Sequence, residues 1–110
     1  MTRRVRALAL AVLAALALPL VPTVAAAQDA QALYVGSLAA TCANCHGTDG
    51  RTTDGSAVPA LAGMPREYML LQLKSFRDGS RPATVMHQIT KGFSEAQLQQ
   101  VAGYFAAQKK

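Results

Sequence analysis

Two cysteines separated by two residues, with a histidine directly after them, constrain this chain more than any other feature. They are Cys42 and Cys45 in the stretch CANCHG, and the chain contains no other cysteine. The pattern Cys-x-x-Cys-His is the attachment signature of a c-type haem. In such a site the two thiols bond to one porphyrin, and the imidazole binds its iron. The sequence therefore predicts one covalent haem on Cys42 and Cys45, with His46 as an axial ligand.

Three other kinds of site use cysteines at this spacing. A dithiol redox centre is expected in a βαβ context, and the sequence has no strand-rich stretch. A zinc site could combine both cysteines with His46 and His87, but the adjacent Cys45 and His46 do not easily reach one tetrahedral centre. A disulfide across so short a loop would be strained. Haem attachment is preferred, and the alternatives stay open at this point.

The first 27 residues have the organisation of a secretory signal peptide. Three arginines lie within the first six residues, and an unbroken apolar run of twelve residues follows from Ala7 to Leu18. The alanines at 25–27 offer a small-residue cleavage site before Gln28. The apolar run is too short to span a bilayer comfortably, so cleavage is preferred to a retained anchor. We expect export to the periplasm, cleavage near Ala27/Gln28 and a mature domain of residues 28–110.

The leader also carries much of the basic charge. The full chain has 11 Lys+Arg against 6 Asp+Glu, and three of the arginines lie within residues 1–27, which leaves 8 against 6 in the mature domain. No Lys/Arg cluster with interleaved aromatic residues is present, so nucleic acid is not an expected partner. Lys74 and Arg81 are candidates for pairing with a haem carboxylate, although each alone is more simply explained as a solvated surface charge.

The mature domain is predicted to be all-α. Helical patterns cover residues 30–41, 65–78 and 95–108, with a shorter stretch between Pro82 and Gly92. Ser94, with Gln97 three residues later, forms a predicted capping box before the last helix. That helix has an i, i+3, i+4, i+7 core stripe made of Leu98, Val101, Ala102 and Phe105. The remaining stretch, 47–63, is rich in Gly, Thr, Asp and Pro and is predicted to be a loop.

A second axial ligand would have to come from a later segment. Electron-carrying haem iron usually has two protein ligands, and a thioether raises the reduction potential. Met69 lies within a helical core pattern, whereas Met64 lies just beyond the loop. Met86 lies 40 residues after His46, in a segment just before the final helix, and is the predicted ligand. His87 is the rival, because an imidazole binds ferric iron strongly.

The order of these features resembles the class I cytochromes c. Helix, CxxCH, Pro-containing loop, middle helix, Met segment and C-terminal helix follow one another over residues 31–108. The resemblance implies an all-α class I cytochrome c fold around one haem c. It also implies that Pro59, thirteen residues after His46, offers its backbone carbonyl to that imidazole and orients it, with Met86 as the second iron ligand.

A narrower resemblance concerns the stretches CANCHGTDG and RPATVMHQITKGF. They are similar to the cytochrome subunit of flavocytochrome c sulfide dehydrogenases and to the domains of small dihaem periplasmic cytochromes. The first resemblance implies a sulfide-oxidising flavoprotein partner, with this chain as a non-catalytic relay to a soluble acceptor. No G-x-G-x-x-G follows a predicted strand, so we expect no flavin on the chain itself. A free carrier to an oxidase or reductase is the alternative, and a sensor or peroxidase-like protein with an open iron site is the third hypothesis.

Overall fold

A computed structural model describes residues 21–110 of the protein, with side chains from Val24 onward. The signal peptide predicted for residues 1–27 lies largely outside this described part. Within residues 21–110 the chain forms helices and loops and contains no strand, which confirms the all-α prediction. None of the described helices is long and apolar enough to cross a membrane. The elements, in chain order, are α1 (Val21–Ala40), α2 (Ala43–His46), a 3-10 turn (Thr48–Gly50), α3 (Arg66–Asp78), α4 (Met86–Lys91) and α5 (Glu95–Ala106).

Helix α1 begins well before the predicted start at residue 30. The stretch from residue 23 to residue 35 is rich in alanine and contains neither proline nor glycine, so nothing in it stops a helix. The compact unit that holds the other helices begins at Leu33. Side chains from Val24 to Ala32 are exposed, so this part of α1 is held by its own backbone and not by a buried face.

The core is built mainly from α3 and α5. Helix α3 packs against both α4 and α5. The predicted stripe of α5 is buried in full, and the buried core cluster consists of Ala39, Met69, Leu70, Leu98, Val101, Ala102 and Phe105. The capping box is also confirmed, because the Ser94 hydroxyl accepts a hydrogen bond from the Gln97 amide at 3.2 Å and the Ser94 amide donates to Gln97 Oε1 at 2.8 Å.

Asp49 joins the turn after the CxxCH motif to the last helix. Its backbone has a φ of 54°, in the left-handed region that aspartate tolerates better than most residues. Its Oδ1 accepts a hydrogen bond from Tyr104 Oη at 2.6 Å, and its Oδ2 accepts one from Arg51 Nη1 at 3.3 Å. The hydrogen bond to Asp49 and the partial burial of the phenol raise the pKa of Tyr104.

Replacing Tyr104 by Phe should therefore destabilise the holoprotein by about 1 kcal/mol at neutral pH, because one partly buried hydrogen bond is lost. Since the pKa of Tyr104 is raised on folding, this stabilisation is complete below the ordinary tyrosine pKa of about 10 and is lost as the pH rises through the folded value. Urea unfolding of the unmodified protein and of Tyr104→Phe, at neutral and at strongly alkaline pH, measures the difference in their free energies of unfolding. This difference should shrink at alkaline pH.

A matched control is Tyr34→Phe, since Tyr34 Oη bonds only to the neutral side-chain amide of Gln97, at an exposed position. A Tyr104→Phe difference that stays constant with pH would contradict the role assigned to this bond.

Candidate functional site

The short helix α2 fixes the two cysteines and the histidine relative to one another. The amides of Cys45 and His46 both donate to the carbonyl of Cys42, at 3.3 and 2.9 Å, so the motif is one helical turn. In a helix, residues three apart share a face, which places the two thiols on the same side. Both thiols are free, Cys42 half-buried and Cys45 exposed. Gly47 ends the turn with a φ of 79°, and a Cβ there would lie 1.9 Å from the carbonyl oxygen of Arg51.

His46 is buried and its ring is held by the loop. Its side chain is oriented by a contact of 2.7 Å between Nδ1 and the backbone carbonyl oxygen of Pro59. Because a carbonyl oxygen can only accept, Nδ1 carries the proton and the lone pair lies on Nε2. An imidazole in this tautomer can bind a metal through Nε2, and the bond at Nδ1 increases its donor strength.

One cavity brings all five predicted site residues together. It has a volume of about 380 Å³, and its lining includes Cys42, Cys45, His46, Pro59 and Met86. Most of the remaining wall is apolar and comes from the loop, α3, α5 and the segment at α4. Its apolar and aromatic residues are Leu61, Met64, Tyr68, Met69, Leu73, Phe76, Val85, Ile89, Val101 and Phe105. A large apolar disc carrying a metal fits such a cavity, since the wall supplies two thiols, an oriented imidazole and a thioether.

The candidates for the second ligand differ in their relation to this cavity. Met64, Met69 and Met86 all line it. Met69 is only 3% exposed and belongs to the core cluster, as its helical position predicted. Met86 is half-buried at the first residue of α4. His87 is not among the lining residues, and its buried Nδ1 has no hydrogen-bond partner within the described part of the chain.

The alternatives to haem attachment find little support in this geometry. Burial of the side chain raises the pKa of the Cys42 thiol, whereas dithiol redox centres depend on a lowered thiol pKa. Across the described residues, no group of three or more His, Cys, Asp and Glu side chains could hold a metal ion, so a four-ligand zinc site is not assembled. The two thiols are unbonded, so a disulfide is not formed.

The cavity also contains residues that the sequence did not single out together. Gln72, Phe76 and Arg81 line it side by side. The guanidinium carbon of Arg81 lies 4.6 Å from the centroid of the Phe76 ring, and Arg81 Nη1 donates to Gln72 Oε1. Of these three, the sequence marks only Arg81 as a candidate partner of a haem carboxylate, and Gln72 and Phe76 are one helical turn apart, which places them on one face of α3.

Comparison with known proteins agrees with this site. The sequence model described as cytochrome c matches residues 27–108. The chain is 40% identical over 68 residues to the cytochrome subunit of sulfide dehydrogenase from Chlorobaculum tepidum, an alignment covering 62% of this chain and 60% of that protein. It is 39% identical over 71 residues to the thiosulfate dehydrogenase electron acceptor of Thiomonas intermedia, covering 64% of this chain and 33% of that protein.

A solved structure is also similar. Cytochrome c4 from Acidithiobacillus ferrooxidans shares 39% sequence identity, with a TM-score of 0.56, over 60% of this chain and 38% of that one. The matched region thus spans between about a third and three fifths of the length of these relatives. The similarity concerns one helical unit that carries the CxxCH motif.

Proposed function

Because this chain belongs to the cytochrome c family and transfers electrons through a covalently bound haem, we propose that its electron donor is a sulfide-oxidising flavoprotein, of which it is the cytochrome subunit. The observation that carries this proposal is the 40% identity to a protein of that description over 68 residues. The chain acts as an electron carrier and has no catalytic activity of its own. The flavoprotein partner comes from the resemblance of the stretches CANCHGTDG and RPATVMHQITKGF.

Within this function we assign Cys42 and Cys45 to covalent attachment, and His46 and Met86 to the iron. The bound haem supplies an iron that alternates between the ferric and ferrous states. Pro59 orients His46 through its carbonyl, 2.7 Å from Nδ1, so the imidazole keeps one direction in both states. The wall formed by α3, α4 and α5 is mostly apolar, so a haem bound against it would have few polar neighbours to reorient when the charge of the iron changes.

We place the mature protein in the periplasm, after cleavage near Ala27/Gln28. The support is the basic, apolar and small-residue order of residues 1–27. The four described side chains that cleavage would remove, Val24 to Ala27, are all exposed. The intact mass and N-terminal sequence of the protein isolated from its host would show whether it begins at Gln28.

The donor is tested by isolating the native protein and adding sulfide. We expect a flavin-containing subunit to copurify, and sulfide to reduce the haem only when that subunit is present. The control is the same cytochrome freed of the flavoprotein, which sulfide should reduce far more slowly. Purification of the cytochrome alone, with no sulfide-dependent reduction after adding back periplasmic flavoproteins, would remove this assignment and leave a free carrier.

A second donor is favoured by a separate observation. The Thiomonas intermedia relative, 39% identical over 71 residues, is described as the electron acceptor of a thiosulfate dehydrogenase. In this version the chain is a freely diffusing carrier that receives electrons from a thiosulfate-oxidising enzyme. Thiosulfate-dependent reduction of the haem by host periplasm, with no response to sulfide, would select it over the first proposal.

The assignment of Met86 can be tested directly. Replacing Met86 by Ala should open one iron position, so that added cyanide binds at least about tenfold more tightly, or 1.4 kcal/mol, and the reduction potential falls because the thioether is lost. Absorbance titration of the ferric holoprotein measures both binding and loss of the Met–iron charge-transfer band.

His87→Ala is the matched control and should leave the charge-transfer band and the weak cyanide binding unchanged, since His87 does not line the cavity. If the unmodified protein already binds cyanide and carbon monoxide readily, the open-site sensor or peroxidase hypothesis replaces the carrier.

A further inference from the structure

Within residues 21–110, the cavity wall carries a single formal charge. Among the described residues that line it, Arg81 is the only Lys, Arg, Asp or Glu; Lys74, the other residue considered for this role, is absent from the lining. A haem brings two carboxylates to an otherwise apolar cavity. A carboxylate near low-dielectric walls is costly without a partner, and a guanidinium is the side chain best suited to receive one, through two parallel hydrogen bonds.

Arg81 is held in place by the last turns of α3. Its guanidinium stacks on the Phe76 ring at 4.6 Å from the ring centroid, and Nη1 donates to Gln72 Oε1. Its backbone amide donates to the carbonyl of Ser75 at 3.0 Å. A side chain restrained in this way loses less conformational entropy when it binds an anion than a free arginine does.

The charge of Arg81 is not neutralised by a protein carboxylate within the described part of the chain. Lys74 and Arg77 both pair with Glu95, at 2.7 and 3.7 Å, and Arg66 pairs with Glu67 at 2.7 Å, but Arg81 takes part in none of the ion pairs. Its neighbours Gln72 and Phe76 are uncharged and also line the cavity. The guanidinium N–H groups of Arg81 that do not donate to Gln72 remain available to bind an anion.

We propose that Arg81 receives a carboxylate of the bound haem and that its positive charge raises the reduction potential of the iron. A fixed cation stabilises the ferrous state, because reduction lowers the net positive charge at the iron by one. Phe76 and Gln72 act as positioning residues for Arg81. This inference rests on haem binding alone and is independent of which protein donates the electron.

The test compares reduction potentials of four holoproteins: the unmodified protein, Arg81→Gln, Arg81→Lys and Arg77→Gln. At a fixed applied potential, Arg81→Gln should lower the ferrous-to-ferric ratio about tenfold, equivalent to about 59 mV for one electron. Arg81→Lys keeps the charge and should recover most of that loss. Arg77→Gln should change the ratio less than about twofold, because Arg77 is paired with Glu95 and does not line the cavity.

Absorbance spectra accompany each titration, so that a change of iron ligand is not mistaken for an electrostatic effect. The proposal is overturned if Arg81→Gln keeps the potential of the unmodified protein, or if Arg81→Lys falls as far as Arg81→Gln. A shift of equal size in Arg77→Gln would also overturn it. Because Arg81 is exposed, the Arg81→Ala variant should fold. It is a second neutral variant, with the same expected fall in reduction potential, for use if Arg81→Gln yields little holoprotein.

Discussion

Replacing both Cys42 and Cys45 by Ser is expected to abolish covalent haem attachment, because a serine hydroxyl does not form the thioether that holds the porphyrin. Haem staining after denaturing electrophoresis, together with the intact mass, measures the loss. Asn44→Ala is the matched control, since Asn44 lies between the two cysteines on the same turn and is exposed. Haem that stays with the double variant through denaturation would show that attachment occurs elsewhere.

The same double variant should lose most of its stable tertiary structure. Without the haem, the mostly apolar wall of a cavity of about 380 Å³ would face water, and all contacts between that wall and the porphyrin would be lost. The whole stability of a small domain is about 5–15 kcal/mol. We expect helical far-ultraviolet circular dichroism to persist in part while the near-ultraviolet signal and the cooperative unfolding transition disappear. Asn44→Ala should keep both.

Phe105→Ala should lower the free energy of unfolding of the holoprotein by about 3–5 kcal/mol, because it removes a large ring from the core. Phe105 is 1% exposed, lines the cavity and contacts the turn after α2, where a Cβ on Gly50 would lie 2.9 Å from its ring. Its carbonyl also accepts the Gly63 amide at 2.9 Å. Denaturant unfolding followed by haem absorbance measures the change.

The control for this substitution is Phe105→Leu, which keeps most of the volume and should cost less than about 1.5 kcal/mol. If Phe105→Ala destabilises the holoprotein by no more than Phe105→Leu, the ring does not contribute to the core in the way described. Because Phe105 lines the cavity, the haem spectrum should also broaden in the alanine variant.

Local patterns predicted the elements whose causes are local. Helix α5 follows from its apolar stripe and from the Ser94–Gln97 capping box, and both were visible in the sequence. Helix α3 ends at Asp78, as expected from the following Gly79, which adopts a φ of 83°. The predicted start of α1 at residue 30 was wrong, because the alanine-rich stretch before it contains no residue that stops a helix. Helix α4 is shorter than predicted, since the chain becomes helical only at Met86.

The cavity depended on contacts between distant parts of the chain, which periodicity does not encode. The pairing of Pro59 with His46 was implied by resemblance to a family, whereas neither residue type nor spacing alone identifies which carbonyl accepts the hydrogen bond of the imidazole. The stacking of Arg81 on Phe76 requires a turn after α3, and this turn brings residue 81 back toward residues 72 and 76. The sequence marked Arg81 as a candidate, but only the fold distinguishes it from Lys74, which pairs with Glu95.

The long-range hydrogen bonds of Asp49 and Arg51 can form only after nearly the whole described chain has emerged from its N-terminal end. Asp49 bonds to Tyr104 across 55 residues, and Arg51 bonds to the carbonyl of Lys109 across 58. Helix α5 carries four of the seven residues in the buried core cluster and follows all the other described helices in the chain. The CxxCH turn therefore emerges before most of this core, and docking of α5 adds Val101 and Phe105 to the cavity wall around that turn.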